Sequence, residues 1–214
     1  MSKIRNSEET KERILCAAQS LFAQRGFEAV SLREITAEAE ANVAAVNYHF
    51  GGKDALIDAV IVRHMMPVMT ERMKLLAVAQ QRADDSSGVI PVVETLDAFM
   101  RPFLMVMNES GENKALFAKF CGRIMSDVGS NLPAEAVEQF SMMVQKFTQA
   151  LSQALPHVGQ QELMWRLHFS FGVMAHTLMH GERLVEVTKG ACGEPDFETT
   201  LKRMIDYCIG GLEA

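Results

Sequence analysis

Apolar residues recur along this chain at intervals of three and four, and almost nowhere at intervals of two. Ile14, Ala18, Leu21 and Phe22 fall at i, i+4, i+7 and i+8, one face of a helix. That helix is expected to start near Ser7 or Thr10. Gly26 is placed to end it, because a residue without Cβ takes the left-handed backbone that closes helices. Ser31 reads as an N-cap, with Glu34 three positions on as its capping-box partner. Leu32, Ile35 and Ala39 then line one face of a short second helix. Asn42 is a second N-cap, opening a short helix to about Tyr48. Gly51-Gly52 interrupts the chain, and Lys53 opens a long helix to about Arg82, with a kink or break predicted at Pro67.

The segment ADDSSGVIP (83–91) reads as a loop, and further helices are predicted over about 92–108, 113–127, 133–155, 160–184 and 195–212. Pro133 suits a first helical turn, Pro156 and Gly159 mark a corner, and GACGEP (190–195) is a turn. There is no sustained alternating pattern and no internal repeat. The fold class is all-α. Residues 1–52 form a three-helix helix-turn-helix domain, followed by a larger helical domain over 53–214.

The stretch NVAAVNYHFGGKDAL (42–56) carries the chemistry. A core helix does not need Asn-Tyr-His, and a solvated helix normally carries charge there. The second helix of a helix-turn-helix lies in the major groove and must approach base edges closely. Small side chains at Val43, Ala44 and Ala45 permit that approach and offer methyl groups to thymine. Asn47 can donate to and accept from an adenine edge. Tyr48 and His49 can reach phosphate oxygens, while Val46 and Phe50 turn back into the core. Lys53 opens the next helix, where free N–H groups and the helix dipole also favour a phosphate.

Charge permits this reading without announcing it. The formal net charge is −6, but residues 1–55 hold seven basic against eight acidic side chains, and the remainder 14 against 19. The head is near neutral, and the acidity lies beyond it. The cysteines at 16, 121, 192 and 208 have no metal or disulfide spacing, which fits reduced thiols in a cytoplasmic protein. The N-terminal stretch lacks the apolar run of a signal peptide, and no run approaches a membrane span.

From Thr10 to Leu56 the sequence resembles the DNA-binding domain of TetR-type (tetracycline-repressor-like) transcriptional regulators. The carrying residues are the ILxAAxxLF run at 14–22, Gly26-Phe27, Ile35 with Ala39, Tyr48-His49-Phe50, Lys53 and Leu56. The resemblance covers about the first quarter of the chain. It implies a homodimeric regulator, usually a repressor, that reads a pseudo-palindromic operator in double-stranded DNA. Ser31 matches a phosphate-touching position and Arg33 one that reaches a base or the backbone. Val43, Ala44, Ala45 and Asn47 match base-reading positions, with Asn42 beside them, and Tyr48, His49 and Lys53 match phosphate-gripping ones. Two departures bear on the operator. The usual Ala-Gly-Val turn is Ala39-Glu40-Ala41, where a left-handed backbone would cost about 1 kcal/mol more than at Gly, so a local difference in the turn is expected; and a common tyrosine is Asn47.

The resemblance also implies a small apolar effector among the later helices, with Phe103, Met107, Phe117, Phe120, Met125, Phe147, Trp165 and Phe169 as candidates, although each also reads as plain core. It implies dimerisation through helices near 133–155 and 160–184, where Gly172 and Ala175 allow close approach and the last helix gives support. Control by a protein partner without a small ligand is the alternative. His168, Gly172, His176 and His180 recur at spacing four; no convergent cysteine or carboxylate joins them, so no metal is expected. No cofactor is expected either. No GxSxG, HExxH or phosphate loop suggests an enzyme, and Cys121 in an apolar run reads as inert core.

Overall fold

The computed structural model describes residues 2–86, 88–109, 114–124, 132–193 and 196–214, and among these every regular element is a helix. In chain order they are α1 (Ser2–Arg25), α2 (Leu32–Glu38), α3 (Val43–Phe50), α4 (Lys53–Asp84), α5 (Val92–Glu109), α6 (Lys114–Arg123), α7 (Ala134–Ala154), α8 (Gln160–Val187) and α9 (Phe197–Glu213). The all-α expectation holds. α1 starts several residues before Ser7. Of the kink or break expected in α4, the break is absent: the helix runs through Pro67 as one element. Proline at that position removes the N–H that would bond the Arg63 carbonyl. Pro67 is exposed, so water can serve that carbonyl and the helix continues.

The chain divides into two compact units. One comprises residues 1–66 and 112–137, the other 67–111 and 138–214. In the first, α1, α2, α3, the first half of α4 and α6 share a core built on Ile14, Ala18, Phe22, Phe27, Ile35, Val46, Leu56, Ile61 and Phe120. Phe27 holds it together, with Phe22 at 5.3 Å on one side and the edge of Phe120 at 6.0 Å on the other. Each large side chain fully buried there stabilises by about 1.5–3 kcal/mol. Arg63 of α4 pairs with Glu12 of α1 at 2.5 Å on the outside.

In the second unit α5 packs on α8 and α9, and α8 packs on α9. Leu96, Phe99, Met100, Phe147, Leu163, Leu167, Met174, Leu201 and Met204 are buried there. Phe147 of α7 meets the Phe99 ring at 5.4 Å. Arg101 of α5 bridges Asp97 on its own helix and Glu198 in the first turn of α9, both at 2.8 Å.

Candidate nucleic-acid interface

The geometry of the head follows from its caps. Ser31 Oγ accepts from the Glu34 N–H at 3.3 Å while Glu34 Oε2 accepts from the Ser31 N–H at 2.8 Å, a complete capping box. Arg25 at the end of α1 reaches the same carboxylate at 2.6 Å and the Ala29 carbonyl at 3.0 Å, so the α1–α2 corner is tied twice. The Ser31 hydroxyl and N–H, then Arg25, hold the Glu34 carboxyl down at about 2. Ser31 therefore already serves a cap, and its exposed hydroxyl keeps one face for solvent.

The turn between α2 and α3 is a Schellman closure. The Ala41 N–H bonds the Thr36 carbonyl at 2.8 Å, and the Glu40 N–H bonds Ala37 at 3.3 Å. That motif needs a left-handed residue, and Glu40 occupies it at φ 48°. Asn42 then caps α3, its Oδ1 accepting from the Ala45 N–H at 2.8 Å. Gly51 ends α3 at φ 89° with its N–H on the Asn47 carbonyl.

Between these stops α3 has one buried and one open side. Val46 is fully buried, and Ala45 and Phe50 pack partly against the same core. At about 100° per residue, Val43, Asn47, Ala44 and Tyr48 spread over an arc of about 140° on the opposite side. Ala44, Asn47 and Tyr48 are exposed, Tyr48 at 81%, and Val43 is half-buried. No charge stands on this face, and its side chains are short except Tyr48. His49 is half-buried, its ring edge-on to Tyr48 at 5.0 Å. Arg33 is exposed on α2. Lys53 Nζ donates to the Glu28 carbonyl at 3.2 Å, which ties the start of α4 to the α1–α2 loop and holds the ammonium at the edge of the head.

Residues 14–60 match the family described as bacterial regulatory proteins, tetR family, and residues 97–211 match the tetracyclin repressor-like C-terminal domain. The second match alone spans more than half of the chain. The chain belongs to the TetR family. It is 38% identical over 94 residues to the HTH-type transcriptional repressor Rv3405c of Mycobacterium tuberculosis, covering 43% of this chain and 50% of that protein. It is 42% identical over 52 residues to the probable HTH-type transcriptional regulator YttP of Bacillus subtilis, covering 24% and 25%. The chain thus spans half the length of the mycobacterial relative it matches. Among solved structures, SCO4454, a TetR-family transcriptional regulator from Streptomyces coelicolor, superposes with a TM-score of 0.63 at 17% identity, covering 95% of this chain and 88% of that one. HlyIIR, a hemolysin II transcriptional regulator, does so at 0.53 and 17% identity, covering 94% and 97%. These two establish a shared fold.

The apolar residues expected to line an effector site in this TetR chain do not form one cluster. Phe117 and Phe120 are buried in the first unit around His64, at 5.6 and 4.8 Å. Burial, and then the neighbouring Arg63 charge, pull the His64 imidazole down to about 4. Met107 and Phe147 are buried in the second unit, and Phe103 is half-buried on α5. Trp165 and Phe169 stand outside on α8, 54% and 59% exposed, with rings 6.0 Å apart. Met125 lies outside the described residues.

Two further groups have clear positions. Cys121 is half-buried and desolvation pushes its thiol up to about 12, the opposite of an activated nucleophile. His176 and His180 are 4.9 Å apart, and among the described residues no third ligand joins them. The sequence reading missed Tyr207 on α9, 74% exposed. It borders a groove of about 560 Å³ between α8 and α9, with Phe169, Val173, Gly210 and Gly211. Paired glycines beside an exposed aromatic, inside a helix, were the available signal.

Proposed function

We propose that this protein is a DNA-binding transcriptional repressor that reads a pseudo-palindromic operator as a homodimer and is released by a small apolar effector. The observation that carries the proposal is the open face of α3. It is capped at both ends, rigidly seated through Val46, and presents Val43, Ala44, Asn47 and Tyr48 with no charge among them. Charge is unnecessary on a base-reading face and useful at its edges. Arg33, Tyr48, His49 and Lys53 supply that edge, with the Ser31 hydroxyl beside them. Asn47 takes an adenine edge through paired donor and acceptor contacts, and the alanines take thymine methyls.

The dimer forms through α8. On the surface of α8, Trp165, Phe169, Leu184 and Val187 are exposed, and Tyr207 extends the apolar face onto α9. α7, the expected companion of α8, exposes the large apolar side chains Val137 and Met142. Gly172 adds room for a close approach, and nothing lies where its Cβ would go. A two-fold dimer then sets two copies of α3 about one helical turn of DNA apart, or a multiple of it. α4 runs from the head into the effector-binding unit, and an effector favouring one head spacing over another shifts the population away from the operator-fitting state.

Selection of random duplexes by the purified protein at moderate salt tests this reading. An enriched palindrome is the expected result. Weak, salt-sensitive binding with no enriched sequence would remove the operator-reading claim.

A further inference from the structure

The second unit carries a buried charge with no counter-charge among the described residues. Arg72 of α4 is 1% exposed and is among the largest fully buried side chains. Its Nε donates to the Phe99 carbonyl at 2.7 Å. The rest of the guanidinium faces thioethers: Nη1 lies 3.5 Å from Met143 Sδ and 4.0 Å from Met69 Sδ, and Nη2 lies 3.7 Å from Met174 Sδ. The cation sits 4.4 Å from the centre of the Phe99 ring. The contrast with other arginines of the chain is sharp. Arg25, Arg63, Arg101 and Arg166 each meet a carboxylate.

Arginine has five N–H donors, and thioether sulfur is a weak acceptor. A charge removed from water without a partner is strongly unfavourable, whereas the same charge with a well-placed anion is tolerated. Burial pulls Arg72 down only to about 9, so it remains a cation at neutral pH. The three sulfurs sit on unbranched side chains with several free rotors, which swing aside more easily than any other apolar residue. A second polar group in the same unit is also unmet: Thr148 Oγ1 is buried with no hydrogen-bond partner.

We infer that Arg72 anchors the carboxylate of an amphipathic monocarboxylic acid, whose aliphatic or aryl tail lies among Met69, Phe99, Met143, Phe147 and Met174. This deepens the effector reading above and rests on it. The two carboxylate oxygens take the Nη1 and Nη2 donors in a parallel fork, displacing the sulfurs of Met143 and Met174, while Nε keeps the Phe99 carbonyl. The site selects its ligand by charge count. A neutral apolar compound leaves the guanidinium unpaired, a cation is repelled, and a dianion brings one charge more than Arg72 can meet.

The test is thermal unfolding of the full chain at pH 7.5 with matched probes: decanoate against decanamide, and 4-phenylbutyrate against 4-phenylbutyramide. At least one acid is expected to raise the unfolding temperature in a saturable way, with its amide at least tenfold weaker, because a ligand selective for the folded state stabilises it. Arg72→Met should keep a cooperative transition and lose the response to acid by at least tenfold. Arg72→Lys should bind more weakly but still prefer acid to amide; it decides the matter should the Met variant not fold. Equal response to acid and amide overturns the proposal. So does an Arg72→Met protein that responds like the parent, or no response to either acid at millimolar concentration. Since no DNA enters this measurement, a failed site leaves the operator reading intact. A failed duplex selection leaves an acid response intact.

Discussion

In the proposed complex the side chains of the head divide into those that read and those that hold, and the two kinds are expected to respond differently to mutation. Asn47→Ala is expected to weaken operator binding by about 1–3 kcal/mol and to relax preference at one base position. Lys53→Ala should weaken every duplex alike and lower the salt dependence of binding by about one unit of slope. Titrations against the selected operator and a scrambled duplex, at several salt concentrations, separate the two. Identical behaviour of the two variants would mean that α3 does not lie in the groove as proposed. Glu40 offers a second check at this scale. A left-handed L-residue costs about 1–2 kcal/mol, and glycine returns about 0.5–1 kcal/mol of that in chain entropy. Glu40→Gly should therefore stabilise the protein by up to about 1 kcal/mol, read from the urea midpoint. No gain would mean that the Glu40 side chain contributes something that offsets its backbone strain.

At the scale of elements, start and stop signals were the legible part of the sequence. Ser31 with Glu34, Asn42, Gly26 and Gly51 each act within a few residues of themselves, so a linear reading finds them. At Pro67 the helix does not break, and that outcome depends on exposure of the freed carbonyl, which no local pattern records. The outward direction of Trp165 and Phe169 was also hidden. α8 buries Leu163, Leu167 and Met174 on one side and presents aromatic rings on another, so its apolar residues surround it and hydrophobic periodicity cannot choose a face.

The capping-box Glu34 and the buried His64 make the head sensitive to acid. Glu34 is held at about 2 in the folded state against 4.5 unfolded, and His64 at about 4 against 6.5. Both folded values lie below the unfolded ones, so both contributions are complete above pH 6.5 and fade as pH falls. His64 accounts for loss between about 6.5 and 4, and Glu34 for loss between 4.5 and 2. Unfolding midpoints of Glu34→Gln should lie below those of the parent near neutrality and converge with them by about pH 2. Parallel curves would assign the acid limb elsewhere.

At the scale of the whole molecule, the least legible fact is that the head is discontinuous in sequence. α6 packs on α1, and Phe120 is fully buried among residues from the first quarter of the chain. Pairings across a hundred residues leave no local mark, so Phe120 could be read only as apolar, and its place beside Phe27 was invisible. Phe120→Ala should destabilise the protein by about 3–5 kcal/mol. It should also weaken operator binding, though residue 120 touches no DNA in the proposed complex. Urea unfolding followed by operator titration checks both, and full affinity in a folded variant would show that α6 is dispensable to the head.

This discontinuity has a consequence during synthesis. A ribosome releases the helix-turn-helix before residue 120, so that segment lacks the ring that closes its core until Phe120 emerges. At about 5–20 residues per second, the interval from Met66 to Phe120 lasts about 3–11 s. For that time the nascent head carries an open apolar seam, available to a chaperone or to a second nascent chain on the same message. The helix-turn-helix is thus made before the residue that completes its core, and cannot be finished until that residue follows.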